Sequence, residues 1–283
     1  MKKKNEIRSA VLQFLANHHV VARAVSCTTG VFTRPIRETN VVMFHAGRCG
    51  STVVGMLLNQ HPRINWLGEI FARFKEKFGD GSWVWEYPEM MIEMRTNIHL
   101  CRNLGIEIKR GQIINLKMDK KRLINTLEKN EFKKYVILKR KNYLRKKLSE
   151  VVAEEIGKMN TKKSINVPKV KIPVSVGKWD VPEKTSEVET LVDHFEMLDE
   201  FYSELEKILK KKDVIEIEYE KDILEDPKKA ANRILNGLGL EGTEAEPKTK
   251  KMNKKPLKKS ISNFEEVEKA LSGTKYEWMV HEG

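Results

Sequence analysis

The feature that most constrains the fold is an apolar run that leads into a glycine-bearing turn and a second apolar stretch. Residues 41–44 (Val-Val-Met-Phe) are typical of a central strand that is buried on both faces of a parallel sheet. The turn contains Gly47 and Gly50, and residues 53–58 are again mostly apolar. His61-Pro62 ends this stretch, because a proline ring prevents continuation of a helix. The segment therefore predicts a strand, a tight turn and a helix.

Apolar segments of strand length alternate with helical patterns along the rest of the chain. Further strands are predicted at 64–67, 112–118, 135–138 and 214–219. A long amphipathic helix is predicted to begin at a capping box formed by Ser186 and Glu189. This alternation predicts an α/β fold with a P-loop-like central parallel sheet flanked by helices.

The domain organisation follows from the same patterns. Helical spacing of apolar residues predicts an N-terminal helical arm over 1–39, and the main domain then covers 40–283. Proline, lysine and valine alternate over 160–185, which predicts a loop insertion within that domain.

Net charge limits the class of binding partner, and cysteine content limits the cellular compartment. The net charge of +13 points to an anionic partner, which could be nucleotide phosphate, nucleic acid, an anionic lipid surface or an acidic glycan. Cys27, Cys49 and Cys101 lack the CxxC spacing of a zinc site and do not form a disulfide framework. We therefore expect a reducing, cytoplasmic location, and no apolar stretch predicts stable membrane insertion.

The turn at 46–52 has the composition of an anion-binding loop. Glycines let backbone N–H groups approach an anion, the helix N-terminus adds a favourable partial charge, and Ser51 and Thr52 add hydroxyl donors. The turn departs from the nucleotide-kinase pattern GxxxxGK[ST], since His45 replaces the first glycine and Ser51 replaces the lysine. Arg48 is then the only side-chain cation of the loop. The alternative is an ordinary strand–helix connection that uses glycine.

Four segments together resemble a known family. Residues 47–52, with His61-Pro62 and Gly68-Glu69 behind them, resemble the 5′-phosphosulfate loop of the sulfotransferases that use 3′-phosphoadenosine 5′-phosphosulfate (PAPS), most closely the bacterial carbohydrate and small-molecule branch. Residues 138–149 resemble the family's 3′-phosphate site, where a serine follows a basic residue by eight positions. Similar segments at 219–240 and 261–276 follow in the expected order.

The resemblance implies the reaction and the donor-binding residues. The chain is expected to transfer a sulfuryl group from PAPS to a hydroxyl or amine of a small-molecule or carbohydrate acceptor and to release 3′-phosphoadenosine 5′-phosphate (PAP). Either Arg140 or Lys141 is expected to bind the 3′-phosphate with Ser149. The residues expected to bind the donor are Arg48, Cys49, Gly50, Ser51, Thr52, Arg140, Lys141, Ser149, Tyr219 and Lys259.

The resemblance also implies catalytic roles. Glu69 matches the family's general base, and Arg48 is placed to neutralise charge on the leaving oxygen. His45 is a rival base beside the loop, although a structural role is favoured for it, and His61 is a second rival. The sequence shows no cluster with metal-ligand spacing, so no metal is expected.

Two other functional classes stay open. A P-loop-type small-molecule kinase is disfavoured by the missing lysine and by the lack of a magnesium-binding aspartate at a strand end. A non-enzymatic polyanion-binding protein would explain the charge but not the glycine turn or Glu69. We expect no nucleic-acid partner. The sequence identifies neither the acceptor nor whether the chain forms a homodimer.

Overall fold

The computed structural model describes residues 39–72, 86–98, 102–156, 169–175, 190–247 and 255–281. The predicted N-terminal arm over 1–39 lies outside the described residues except for Thr39, as does much of the predicted insertion at 160–185.

The centre of the fold is a five-stranded sheet in which every pairing is parallel, in the order β2-β3-β1-β4-β5. The strands are β1 (Asn40–His45), β2 (Ile64–Glu69), β3 (Asn103–Lys109), β4 (Phe132–Lys139) and β5 (Asp213–Glu218). Since β1 lies between β3 and β4, the turn that follows it sits at the middle of the carboxyl edge, where open α/β sheets bind ligands. The predicted α/β fold with a P-loop-like central parallel sheet is confirmed.

Helices cover both faces of this sheet. In chain order they are α1 (Ser51–Leu58), α2 (Glu86–Ile98), α3 (Arg110–Asn115), α4 (Lys120–Lys129), α5 (Tyr143–Glu155), α6 (Leu191–Leu209), α7 (Pro227–Gly237), α8 (Leu257–Ser260) and α9 (Phe264–Leu271). A π-helical turn at Tyr219–Ile223 follows β5, and a 3-10 turn at Glu277–Val280 follows α9. No helix within the described ranges is both long and apolar enough to cross a membrane.

The alternation of side chains along β1 divides the interior into two cores. Val41 and Met43 pack with α1 and α7 on one face, while Val42 and Phe44 pack with α5 and α6 on the other. All four side chains are fully buried. Each contributes about 1.5–3 kcal/mol of transfer free energy, which explains why this run fixes the centre of the sheet.

One predicted strand is wrong. Residues 112–118 lie in α3 and the turn behind it, whereas β3 occupies the preceding segment. Gly105 and Glu107 interrupt the apolar pattern of β3, so this segment lacks the sequence expected of a buried strand. A Cβ on Gly105 would lie 2.0 Å from Cε3 of Trp66, so this glycine makes room for the indole of β2, and Glu107 is buried with polar partners. Neither requirement is visible in local sequence.

The predicted start of the long helix is also wrong. The helix α6 begins at Leu191, and its capping box is formed by Thr190 and Asp193. The backbone N–H of Asp193 donates to Oγ1 of Thr190 at 3.2 Å, and the backbone N–H of Thr190 donates to the Asp193 carboxylate at 2.9 Å. The predicted cap residues Ser186 and Glu189 lie outside the described residues.

Candidate active site

The turn between β1 and α1 has a backbone that depends on its glycines. Gly47, Arg48 and Gly50 have φ angles of 82°, 54° and 86°, in the left-handed region. A Cβ on Gly47 would lie 2.6 Å from Cε of Lys109, and one on Gly50 would lie 3.0 Å from Cγ2 of Ile223. Arg48 adopts this backbone as a non-glycine residue, a local strain of the kind found at binding sites.

The N-terminus of α1 opens into a cavity. Gly50 is the N-cap and has no side chain with which to cap the helix, and the first N–H groups of an α-helix have no intrahelical acceptor. Gly50, Ser51 and Thr52 line a cavity of about 930 Å³ at the carboxyl edge of the sheet. Uncapped N–H groups, the helix dipole and two hydroxyls make this end of the cavity suited to an anion.

Arg48 joins the loop to α5. Its Nε donates to Oγ of Ser149 at 3.0 Å, and both residues line the cavity. Burial lowers the pKa of Arg48, Glu150 raises it and Arg140 lowers it further. The guanidinium stays charged at any ordinary pH, since arginine does not deprotonate in proteins. Two segments that the sequence analysis assigned to different phosphate groups thus meet in one cavity.

Of the two basic residues that follow β4, Arg140 lies in the site and Lys141 lies on the surface. Arg140 is buried, lines the cavity, donates from Nη1 to the carbonyl of Arg48 at 3.0 Å and lies 4.4 Å from the ring centroid of Tyr219. Lys141 is exposed, and its Nζ lies 2.8 Å from the carboxylate of Glu218. The geometry therefore favours Arg140 over Lys141 as the cation of the site.

Two other predicted donor-binding side chains lie elsewhere. The thiol of Cys49 is buried beneath the turn, donates to the carbonyl of Gly47 at 2.9 Å, and has a pKa that burial raises. Lys259 is exposed on α8 and is not among the described residues that line the cavity. The side chain of Cys49 therefore supports the loop from behind, and only its backbone can face a ligand.

A second loop cation comes from β3 and was missed. The side chain of Lys109 packs on Gly47, where its Nζ would lie 3.2 Å from a Cβ, and Lys109 also lines the cavity. Arg48 was expected to be the only cation of the loop because the neighbouring strand was predicted nine residues too late. A basic residue at the end of an apolar-alternating segment is the signal that could have found Lys109.

Glu107 is the buried carboxylate on which the loop depends. It is 4% exposed, accepts from Nε1 of Trp66 at 2.7 Å, and lies 3.3 Å from Nε2 of His45. Burial opposes its charged form, but interactions with His45, Trp66 and Ser51 outweigh burial and hold the pKa of Glu107 below its ordinary value.

His45 connects Glu107 to the turn. Its Nδ1 accepts the backbone N–H of Gly47 at 3.1 Å, so the neutral ring carries its proton on Nε2, which faces Glu107. The ring is 1% exposed. Both nitrogens face protein groups, which suits His45 to positioning the turn. The other rival base, His61, accepts the N–H of Arg63 at Nδ1 and is not among the described residues lining the cavity.

Glu69 ends β2 at the cavity wall. It is half-buried, and its Oε2 accepts from Nε2 of Gln112 at 2.9 Å. Ligand atoms of His45, Glu69 and Glu107 all lie within 4.8 Å of one another. The carboxylate that the resemblance named as a base therefore lies beside the loop.

The same three residues form a cluster that could hold a metal ion, which sequence analysis missed because it misplaced β3. A cation at Nε2 of His45 would move the ring proton to Nδ1 and break the bond from the Gly47 N–H. It would also compete with Trp66 and His45 for Glu107. The donor set therefore fits a hydrogen-bond network better than a metal centre.

Comparisons with known proteins return few matches. No family model matches the chain, and no curated protein matches it. Among solved structures, the chain is similar to a sulfotransferase from Alicyclobacillus acidocaldarius, with 14% sequence identity and a TM-score of 0.48. The match covers 86% of this chain and 96% of that chain.

Proposed function

We propose that the chain is a sulfotransferase that moves a sulfuryl group from PAPS to a hydroxyl or amine of a small-molecule or carbohydrate acceptor. The observation that carries this proposal is the hydrogen bond from Arg48 to Ser149. It joins the anion-binding turn to the segment that resembles a 3′-phosphate site. One cavity then suits a nucleotide that carries anionic groups at both its 5′ and 3′ positions.

The cationic side chains divide between the two ends of such a nucleotide. The 5′-phosphosulfate would take the N–H groups of Gly50, Ser51 and Thr52, with Arg48 and Lys109 on either side of the turn. The 3′-phosphate would take Arg140 and Ser149. Since Tyr219 lies under the guanidinium of Arg140, that cation is held in place before the donor arrives.

The reaction would be an in-line displacement at sulfur. The acceptor oxygen forms a bond to sulfur while the bond from sulfur to the bridging oxygen of the 5′-phosphate breaks, and PAP leaves with the electron pair on that oxygen. Glu69 takes the acceptor proton, and Arg48 and Lys109 stabilise the negative charge that develops. His45 and Glu107 would keep the turn in place.

Calorimetric titration with PAP, ATP and AMP tests the proposal. Wild-type protein is expected to bind PAP at least about tenfold more tightly than ATP, and Arg48→Ala to lose about tenfold or more in PAP affinity, or about 1.4 kcal/mol. Arg122→Ala is the matched control, because Arg122 is half-exposed on α4 and pairs with Glu89. Equal binding of PAP and ATP, or equal losses in both variants, would overturn the proposal.

A second candidate is magnesium-dependent phosphoryl transfer from ATP. Lys109 supports it, because β3 supplies beside the turn the lysine that the turn itself lacks as a kinase loop. The same titration separates the two functions. Binding of ATP that rises with added Mg²⁺ and exceeds binding of PAP favours the kinase, and preference for PAP regardless of Mg²⁺ favours the sulfotransferase.

A further inference from the structure

A second group of charged side chains lies against the helices beside the turn. It consists of Arg110 on α3, Lys146 and Glu150 on α5, and His194 on α6, and we name it the cationic cluster. Lys146 is buried and pairs with Glu150 one helical turn away. With their charged neighbours Lys147 and Glu200, these side chains comprise three cations and two anions, so the cluster and its surroundings carry an excess of one positive charge.

His194 is the member whose polar atoms are unsatisfied. It is 7% exposed, and neither ring nitrogen has a hydrogen-bond partner among the described residues. Burial, together with the ammonium groups of Lys146 and Lys147, lowers the pKa of His194 to about 3, so the ring is neutral. A neutral imidazole still carries one N–H donor, and a buried donor without an acceptor is destabilising.

The guanidinium of Arg110 also lacks a strong hydrogen-bond acceptor among the described residues. Its Nη2 donates to Sδ of Met197 at 3.6 Å, and a thioether is a weak acceptor for a guanidinium. Burial lowers the pKa of Arg110, while Glu150 and Glu200 act on it as electrostatic neighbours without forming an ion pair within the described residues. A partly buried guanidinium whose acceptor is only a thioether is suited to binding a bidentate anion.

Two members of the cationic cluster are direct sequence neighbours of residues that contact the donor loop. On α5, Glu150 follows Ser149, which accepts from Arg48. At the end of β3, Arg110 follows Lys109, which packs on Gly47. The cluster is therefore next to the turn while remaining separate from the described residues that line the cavity.

Resting on the proposed function, we propose that the cationic cluster binds an anionic group of the acceptor. The oxygens of a carboxylate or sulfate group would accept hydrogen bonds from the N–H of His194 and from the guanidinium of Arg110. The nucleophilic hydroxyl would be on another atom of the same acceptor molecule. The acceptor is then an acidic sugar or another hydroxy-bearing anion rather than a neutral molecule. Helix α3 supports this arrangement, because it carries both Arg110 and Gln112, the partner of Glu69.

The test titrates PAP-saturated protein with glucuronate, glucose 6-sulfate and glucose. We expect at least one of the two anionic sugars to bind about tenfold more tightly than glucose. Arg110→Met and His194→Phe should each weaken that binding about tenfold, whereas Arg110→Lys should retain most of it. Arg122→Met is the charge-matched control. Unchanged PAP affinity in every variant shows that the fold and the donor site are intact.

Two results would overturn the inference. One is equal binding of all three sugars by the wild type. The other is anion binding that Arg48→Ala abolishes while Arg110→Met and His194→Phe leave it unchanged, because the anion would then sit on the donor loop. If PAP itself fails to bind, the proposed function fails, and glucuronate is titrated without PAP. Binding that depends on Arg110 then still supports an anion site, and its absence refutes one.

Discussion

Replacement of Glu107 by glutamine tests how the turn is held in place. The carboxylate accepts a hydrogen bond from Nε1 of Trp66 at 2.7 Å, and its other oxygen lies 3.3 Å from Nε2 of His45. An amide of the same shape offers one acceptor and one donor. Since Trp66 makes the shorter contact, we expect the amide oxygen to stay with Trp66 and the NH₂ group to face His45.

His45 then cannot satisfy both of its neighbours. If His45 keeps its proton on Nε2, this N–H faces the NH₂ group of the new glutamine, and both groups are donors. If the proton moves to Nδ1, that N–H faces the backbone N–H of Gly47, and again both groups are donors. A buried donor left without an acceptor costs about 1–3 kcal/mol. Part of this cost falls on the turn, so Glu107→Gln should lower thermal stability by several degrees and weaken PAP binding about tenfold.

Trp66→Phe separates the two effects. It removes the other partner of Glu107 and leaves the contact from His45 to Gly47 in place. We expect it to lower the melting temperature while PAP affinity stays within about threefold of wild type. The assay is calorimetry with PAP alongside thermal unfolding. Wild-type PAP affinity in Glu107→Gln, or an equal loss of affinity in Trp66→Phe, would refute the reasoning.

Further predictions concern catalysis, the turn and pH. Glu69→Gln should reduce turnover with PAPS by about 10²-fold or more and leave PAP affinity unchanged, because a general base acts in the transition state, and steady-state kinetics with calorimetry measure both. Gly47→Ala should destabilise the protein by about 1–2 kcal/mol in denaturant unfolding, since alanine is strained at positive φ and its Cβ would meet Lys109. The pKa of Glu107 is lower in the folded protein than its ordinary value of 4.5, so its contribution to stability is present above that value and is lost as pH falls below it. The free energy of unfolding of the wild type should therefore fall more steeply with pH below 4.5 than that of Glu107→Gln, as measured by denaturant unfolding at a series of pH values; identical slopes would contradict this.

Local pattern was sufficient for the centre of the fold. The run from Val41 to Phe44 has no polar residue because β1 is buried on both faces, and the turn behind it follows directly. The eight-residue spacing from Lys141 to Ser149 singled out the segment whose serine contacts Arg48. It could not decide between Arg140 and Lys141, because which side chain turns inward depends on Tyr219 and Glu218 from another strand.

The rest of the site depends on contacts between distant residues. Glu107 is acceptable inside the sheet only because Trp66, 41 positions earlier, and His45 pair with it. Gly105 is needed only because the same indole lies against it. Local sequence does not show these contacts, so β3 was not predicted as a strand. Lys109 and the cluster around His45 were missed for the same reason.

The central claim is that one cavity recognises both phosphate ends of PAP, and the PAP-to-AMP affinity ratio tests it most directly, because the two nucleotides differ only in the 3′-phosphate. Calorimetry should give a ratio of about 10²-fold or more in the wild type, since two charge-assisted hydrogen bonds contribute about 1.5–3 kcal/mol each. The ratio should fall toward one in Arg140→Ala and stay high in Lys141→Ala. A ratio near one in the wild type, or one that Arg140→Ala leaves unchanged, would contradict the account.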